Sequence, residues 1–158
     1  MIISRSDYQQ LCRDASSRLH LFDTAAMGLG ATFFVDDVEC QLAFNEARGS
    51  AQLMCEMGDP KIGSEADVHR ALLELQAAFV GQIDAMFVRD AINDRLLFTT
   101  RIPLHDRMTP ANLAGALGLL TRQVQGWQAG VLAGAMVDYD HEFANRVAGN
   151  AGMSPIHA

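Results

Sequence analysis

Hydrophobic and polar residues alternate along two runs between positions 38 and 57, and this alternation is the pattern of half-buried β-strands. The apolar members of the two runs are Val38, Cys40, Leu42, Phe44, Ala51, Leu53, Cys55 and Met57. The segment between the runs, residues 46–49, ends in a glycine that can adopt a positive φ, which favours a hairpin. In a symmetric hairpin Leu42 faces Leu53 and Cys40 faces Cys55.

A helical period of apolar positions predicts three helices. The apolar stripe of the first helix consists of Tyr8, Leu11, Cys12, Ala15 and Leu19. Ser6 and Gln9 fit a capping box at the start of this helix. Ser64 is the expected N-cap of a central helix over 65–80, and Thr109, which is followed by a proline, marks the start of the last helix.

Further strands are predicted over 31–35, before a turn at Asp36 and Asp37, and in a second hairpin formed by 84–90 and 95–102. The resulting order is helix, three strands, helix, two strands, helix. Because short connections make neighbouring strands antiparallel, we expect an α+β protein with a twisted antiparallel sheet of about five strands flanked by three helices.

Composition indicates a folded protein, since 49% of the 158 residues are hydrophobic and 20% are charged. We assign residues 1–137 to a single domain and residues 138–158 to an acidic segment and a loosely ordered C-terminal tail. The net charge of −7 repels phosphate backbones and anionic lipids, which argues against nucleic acid and membrane surfaces as partners. The apolar stretch 111–137 is interrupted by Arg122 and several glutamines, so we expect no membrane insertion.

Residues that could carry chemistry are scattered. The five histidines and three cysteines lack metal-site spacing and no serine lies in a GxSxG motif, so we expect no catalytic residue, metal or cofactor. Cys40 and Cys55 are expected to be reduced core thiols, with a redox switch as the alternative. The acidic run 138–142 is interpreted as a solvated turn, with a cation site in a metal-dependent enzyme as the alternative. Cysteine usage and the lack of a signal-peptide pattern favour the cytoplasm.

The predicted central helix has two apolar faces. The first face consists of Val68, Leu72, Leu75 and Phe79. The second face, which lies beside it, consists of Leu73, Ala77 and Val80. Because one sheet does not easily cover so wide a stripe, we expect part of it to meet a second subunit.

The element order and its anchor residues resemble the small type III secretion chaperones of the Tir-chaperone (CesT-like) family. The resemblance covers residues 6–131 and rests on the first amphipathic helix, the 38–57 hairpin, the central helix 65–80 and the Thr109 helix with Trp127. It implies a homodimeric cytosolic virulence chaperone that binds the N-terminal region of a secreted effector and keeps it extended for export without ATP hydrolysis. Whether such a protein also docks on a secretion ATPase is left open.

A chaperone of this kind needs no reactive group, because an extended client can add a strand to a sheet edge and place alternate side chains in pockets. The expected client contacts are Phe33, Val35, Leu42, Phe44, Leu53 and Met54. If helices cover the face that carries these residues, the residues that alternate with them on the other face are the contacts instead. The expected dimer contacts are Leu72, Leu73, Leu75, Phe79 and Phe87. The alternative function is a regulator or adaptor of the secretion system that binds a folded partner.

Overall fold

The computed structural model of the protein describes residues 3–61, 63–81 and 83–134. Its elements in chain order are α1 (Arg5–Arg18), α2 (Ala26–Leu29), β1 (Phe33–Val35), β2 (Val38–Asn45), β3 (Ser50–Glu56), α3 (Glu65–Phe79), β4 (Ala85–Asp90), β5 (Arg95–Pro103) and α4 (Pro110–Ala129). The acidic run 138–142 and the predicted tail lie outside the described residues, so the interpretation of both stays a prediction.

The five strands form one antiparallel sheet in the order β1-β2-β3-β5-β4. The predicted hairpin register is confirmed, because Leu42 lies opposite Leu53 and Cys40 lies opposite Cys55. Hydrophobic alternation fixes this register, since a shift of one residue would turn every apolar side chain to the other face. The predicted α+β architecture is confirmed with two additions, the single-turn helix α2 and a 3₁₀ turn at Glu46–Arg48.

Side-chain caps determine where the helices begin. At α4, Thr109 Oγ1 accepts a hydrogen bond from the Asn112 backbone N–H at 3.1 Å, and Asn112 Oδ1 accepts one from the Thr109 backbone N–H at 3.2 Å. This capping box confirms the predicted start. At α1 the predicted cap at Ser6 is wrong, because Ser4 Oγ accepts the hydrogen bond from the Asp7 backbone N–H at 3.2 Å. With Ser4 as the cap, Asp7 lies in the first turn of the helix, where the positive end of the helix dipole stabilises its negative charge.

The helices pack on one face of the sheet, which we call the inner face. Its buried strand side chains include Val38, Cys40, Leu42, Leu53, Cys55, Phe98 and Ile102. The opposite or outer face is left open by the described helices. Its exposed positions include Phe34, Gln41, Ala43, Met86 and Val88.

An aromatic cluster closes the core where α3, α4, β4 and β5 meet. Its members are Phe79, Phe87, Phe98 and Trp127, and the ring centroids of each pair lie 5.0–6.5 Å apart. Trp127 contacts the other three rings and is only 4% exposed. Edge-to-face and tilted arrangements of this kind add to the energy of apolar burial, so the cluster fixes α3 and α4 on this end of the sheet.

Alanine is expected to stabilise the protein at Gly115 or Gly126 and to destabilise it at Gly28. The first two glycines are exposed in α4, and a Cβ there would meet no side chain or neighbouring element of the described residues within 4 Å. Each exchange should therefore raise the free energy of unfolding by about 0.5–1 kcal/mol.

At Gly28 an added Cβ would lie 3.2 Å from Gln9 Cα and 3.3 Å from Cys12 Cβ, because α2 packs closely on α1. The overpacking should cost about 1–3 kcal/mol. Urea unfolding followed by far-ultraviolet circular dichroism compares the three variants. A loss of stability in Gly115→Ala and Gly126→Ala would contradict the prediction.

Candidate partner-binding surfaces

β1 lies at the edge of the sheet and pairs with β2 alone among the described strands. The connecting turn has two residues, Asp36 and Asp37, which both take the left-handed conformation at φ 48° and 65°, as a type I′ hairpin requires. In such a hairpin the flanking residues, Val35 and Val38, form a hydrogen-bonded pair. Because hydrogen-bonded and non-hydrogen-bonded pairs alternate, Phe34 makes no backbone hydrogen bond to Glu39 opposite it. The N–H and C=O of Phe34 therefore point to the open edge, where an added strand can bind them.

A groove of about 590 Å³ runs between β1 and the loop that follows α1, and we call it the edge groove. Its apolar lining consists of Leu19, Leu21, Phe22, Ala26, Phe33 and Phe34. Phe22 is fully exposed, and Phe34 exposes 58% of its surface. Two exposed phenylalanines beside an unpaired strand edge form an apolar surface that a partner can cover.

Four of the six predicted client contacts are buried on the inner face. They are Phe33, Val35, Leu42 and Leu53, and each is at most 4% exposed. Among these four, Phe33 alone also lines the edge groove. Their contact with a client stays a prediction.

The remaining two predicted contacts are half-buried. Phe44 stacks on Tyr8 with ring centroids 4.2 Å apart, and the Arg5 guanidinium carbon lies 5.6 Å from the Phe44 centroid. Met54 lies on the outer face, opposite Gln41 of β2. Both side chains can gain further burial on binding, and their role in client contact also stays a prediction.

The two apolar sides of α3 have different surroundings. Leu72, Leu75 and Phe79 are buried within the chain and are at most 6% exposed. The other side forms an exposed line, which we call the helix stripe, and its members are Leu73, Ala77 and Val80. Leu73 is 65% exposed and Val80 is 78% exposed, so this line is free to meet a partner.

A second groove, of about 280 Å³, lies between α3 and β4 next to the helix stripe. Its apolar lining consists of Leu72, Leu73, Phe87 and Leu96. Phe87 is half-buried here through its contacts in the aromatic cluster. Among the five predicted dimer contacts, Leu73 and Phe87 thus retain free surface in the single chain. The dimer role of all five stays a prediction.

The outer face carries an ionic group at one end. Arg95 donates a hydrogen bond to Glu39 Oε1 at 2.6 Å and another to Glu56 Oε2, and all three side chains are about one-third exposed. A hollow of about 180 Å³ adjoins them and is also lined by Asp90; we call it the acidic niche. Ion pairs that remain in contact with water add little to stability, so this group contributes little to folding.

The cysteines are free thiols in the core, as the sequence predicted. Cys40 Sγ and Cys55 Sγ lie 3.6 Å apart, and the hydrogen bond between them, followed by burial, raises the pKa of the Cys55 thiol. Burial raises the pKa of the Cys12 thiol to about 11. A thiol with a raised pKa is a poor nucleophile at neutral pH, so Cys12 and Cys55 act as apolar core groups.

Within residues 3–61, 63–81 and 83–134, no group of three or more His, Cys, Asp or Glu side chains could hold a metal ion. Within the same ranges, no helix has the length and apolar character needed to cross a membrane. The surfaces that stand out are therefore the edge groove, the helix stripe with its groove, and the acidic niche.

Two solved complexes contain chains with this architecture. A chain of the crystal structure of the ExsC–ExsE complex gives a TM-score of 0.65 at 17% sequence identity, over 83% of this protein and 98% of that chain. The protein therefore shares the fold of this chain. A chain of the HopA1–SchA chaperone–effector complex gives a TM-score of 0.56 at 17% identity, over 81% of this protein and 99% of that chain. No family model and no curated protein matches the sequence.

Within this fold, Phe22 and Phe34 are exposed residues of the edge groove that the sequence analysis did not name as contacts. Phe34 alternates with the buried residues Phe33 and Val35, so its outward direction was readable once the covered face was known. Phe22 lies in the loop before α2, where no period predicts the direction of a side chain.

Proposed function

We propose that the protein is a cytoplasmic type III secretion chaperone, which binds the N-terminal region of secreted effectors and keeps it extended for export without ATP hydrolysis. The observation that carries the proposal is the open edge of β1 beside the edge groove, where Phe34 and Phe22 are exposed. A segment that pairs with β1 gains backbone hydrogen bonds and places alternate apolar side chains in the groove. The likeness to a chain of a chaperone–effector complex supports this function.

The proposal includes a homodimer that forms through α3 and β4. The helix stripe supports it, because Leu73 and Val80 would otherwise remain in water. The adjoining groove offers an apolar recess in which Leu73 of a second copy can pack. A two-fold axis across α3 would bury the same patch of both copies, as an isologous interface requires.

Phe34→Asp is expected to weaken client binding by at least about tenfold, because a charge replaces an aromatic contact beside the paired edge. The measurement is co-expression with tagged N-terminal segments of candidate effectors, followed by affinity purification and titration of the recovered pairs. Ile92→Asp is the matched control, since Ile92 is 94% exposed in the β4–β5 turn, at the opposite edge of the sheet.

The outcome also distinguishes a chaperone from a regulator. Retention of several unrelated effector segments by the wild-type chain, and their loss in Phe34→Asp, would support the chaperone. Binding of a single folded component of the secretion machinery, with Phe34→Asp unchanged, would show that the proposed function is wrong. Docking on a secretion ATPase stays a prediction that the same purification can test with the ATPase as bait.

A further inference from the structure

The edge groove continues onto the outer face of the sheet. Thr32 lines both the edge groove and the acidic niche. Phe34, two residues further along the chain in β1, points to the outer face and lies opposite Glu39 of β2. A segment that pairs with β1 therefore has one row of side chains in the apolar groove and one row on the outer face, beside Phe34 and toward Glu39.

Negative charge surrounds this path on both sides. The edge groove carries Asp23, Asp36 and Asp37, and the acidic niche carries Glu39, Glu56 and Asp90. Among the residues lining these two sites, the fixed positive charge is Arg95, which is shared between Glu39 and Glu56. Six carboxylates against one guanidinium leave the path strongly negative, so it complements a cationic occupant.

The distances suit long basic side chains. A strand added beside β1 places its Cα atoms about 10 Å from those of β2, two strand spacings away. An arginine or lysine side chain that points outward from the added strand can span this gap to meet the Glu39 carboxylate. On the way its cationic head crosses the ring of Phe34, which is 58% exposed and attracts cations through its π-face.

We infer that the client segment held in the edge groove is a basic β-strand, in which apolar residues that face the groove alternate with arginine or lysine residues on the outer face. The inference rests on the proposed function and adds the chemistry of the bound segment. The apolar groove provides the site, and the carboxylates select the charge of its occupant. Partial exposure of these carboxylates makes the selection dependent on salt.

Two labelled peptides and the full chain test the inference by fluorescence anisotropy. One peptide alternates valine with arginine, and the other has glutamine in place of each arginine. At about 50 mM NaCl we expect the arginine peptide to bind at least about tenfold more tightly. At about 500 mM NaCl the advantage should fall to about threefold or less, because the Debye length is shorter.

Variants that replace a single carboxylate by its neutral amide show which side chains cause the preference for arginine. Glu39→Gln and Asp37→Asn should each weaken the arginine peptide by about threefold or more and leave the glutamine peptide unchanged. Asparagine tolerates the left-handed backbone at position 37. Glu74→Gln removes an exposed carboxylate from α3 and should affect neither peptide.

Equal affinity for the two peptides, no binding of either one, or unchanged affinity in both Glu39→Gln and Asp37→Asn would overturn the inference. This failure is distinct from failure of the proposed function. Effector segments that co-purify with the wild-type chain and are lost in Phe34→Asp would preserve the chaperone role, even if the peptides show no preference for arginine.

Discussion

Leu73→Asp is expected to convert the protein from a dimer into a monomer. Leu73 is 65% exposed at the end of the helix stripe that adjoins the apolar groove between α3 and β4. In a two-fold dimer each substitution acts twice, so two leucine contacts are lost. The loss of about 3–6 kcal/mol weakens dimerisation by roughly 10²- to 10⁴-fold, before any cost of burying the new carboxylates.

Size-exclusion chromatography with light scattering measures this result directly. The wild-type chain should elute at about twice its mass of 17.2 kDa, and Leu73→Asp should elute at the mass of one chain. Leu29→Asp is the matched control, because Leu29 is 70% exposed on α2, away from α3. A wild-type monomer, or a Leu73→Asp dimer of unchanged affinity, would exclude this interface.

Trp127→Ala is expected to remove a large part of the folding stability. The indole is 4% exposed and lies 5.0 Å from the rings of Phe87 and Phe98 and 5.9 Å from that of Phe79, measured between centroids. Truncation of a buried tryptophan costs about 3–5 kcal/mol through lost burial and the cavity left behind. A domain of ordinary stability has about 5–15 kcal/mol in total, so the variant should unfold at a clearly lower urea concentration.

Circular dichroism in urea is the appropriate measurement, because Trp127 is the single tryptophan of the chain and its removal abolishes the fluorescence signal. All samples must have the same concentration, since dimerisation adds to apparent stability. Phe22→Ala is the control; it truncates an aromatic residue that is fully exposed and should change stability by no more than about 0.5 kcal/mol. Equal unfolding midpoints for Trp127→Ala and Phe22→Ala would contradict the role assigned to the aromatic cluster.

Local sequence patterns predicted much of the fold. Alternation over 38–57 gave the register that pairs Cys40 with Cys55, because a one-residue shift would expose every apolar side chain. The capping box at Thr109 gave the start of α4, since its partners are three residues apart in sequence. The cap of α1 was misplaced, because Ser4 and Ser6 are both good caps and the choice depends on how the helix packs.

The candidate site was harder to predict for a physical reason. Alternation shows that a strand has two faces, but it does not show which face the helices cover. In β1, Phe33 and Val35 were the obvious apolar pair, and the structure places both in the core while Phe34 faces outward. Sheet edges depend on strand order, which is set by contacts distant in sequence, so the open edge of β1 had no local signal.

The central helix illustrates the same limit in another element. Its period identified both apolar sides, and the side with Leu72, Leu75 and Phe79 was expected to contribute to a dimer. The structure buries this side within the chain against the cluster that contains Trp127. The helix stripe is also apolar but remains exposed, because the placement of α3 on the sheet turns it away from the core.

The shortness of β1 has a mechanical consequence. A strand of three residues presents to its open side only the backbone groups of its middle residue, Phe34. A client segment that pairs with Phe34 gains two backbone hydrogen bonds, each contributing about 0.5–1.5 kcal/mol net. Tension on one end of the client would break these two hydrogen bonds first. The aromatic cluster that stabilises the protein lies at the far end of the sheet and would stay intact. The proposed chaperone would therefore release its client under tension and itself stay folded.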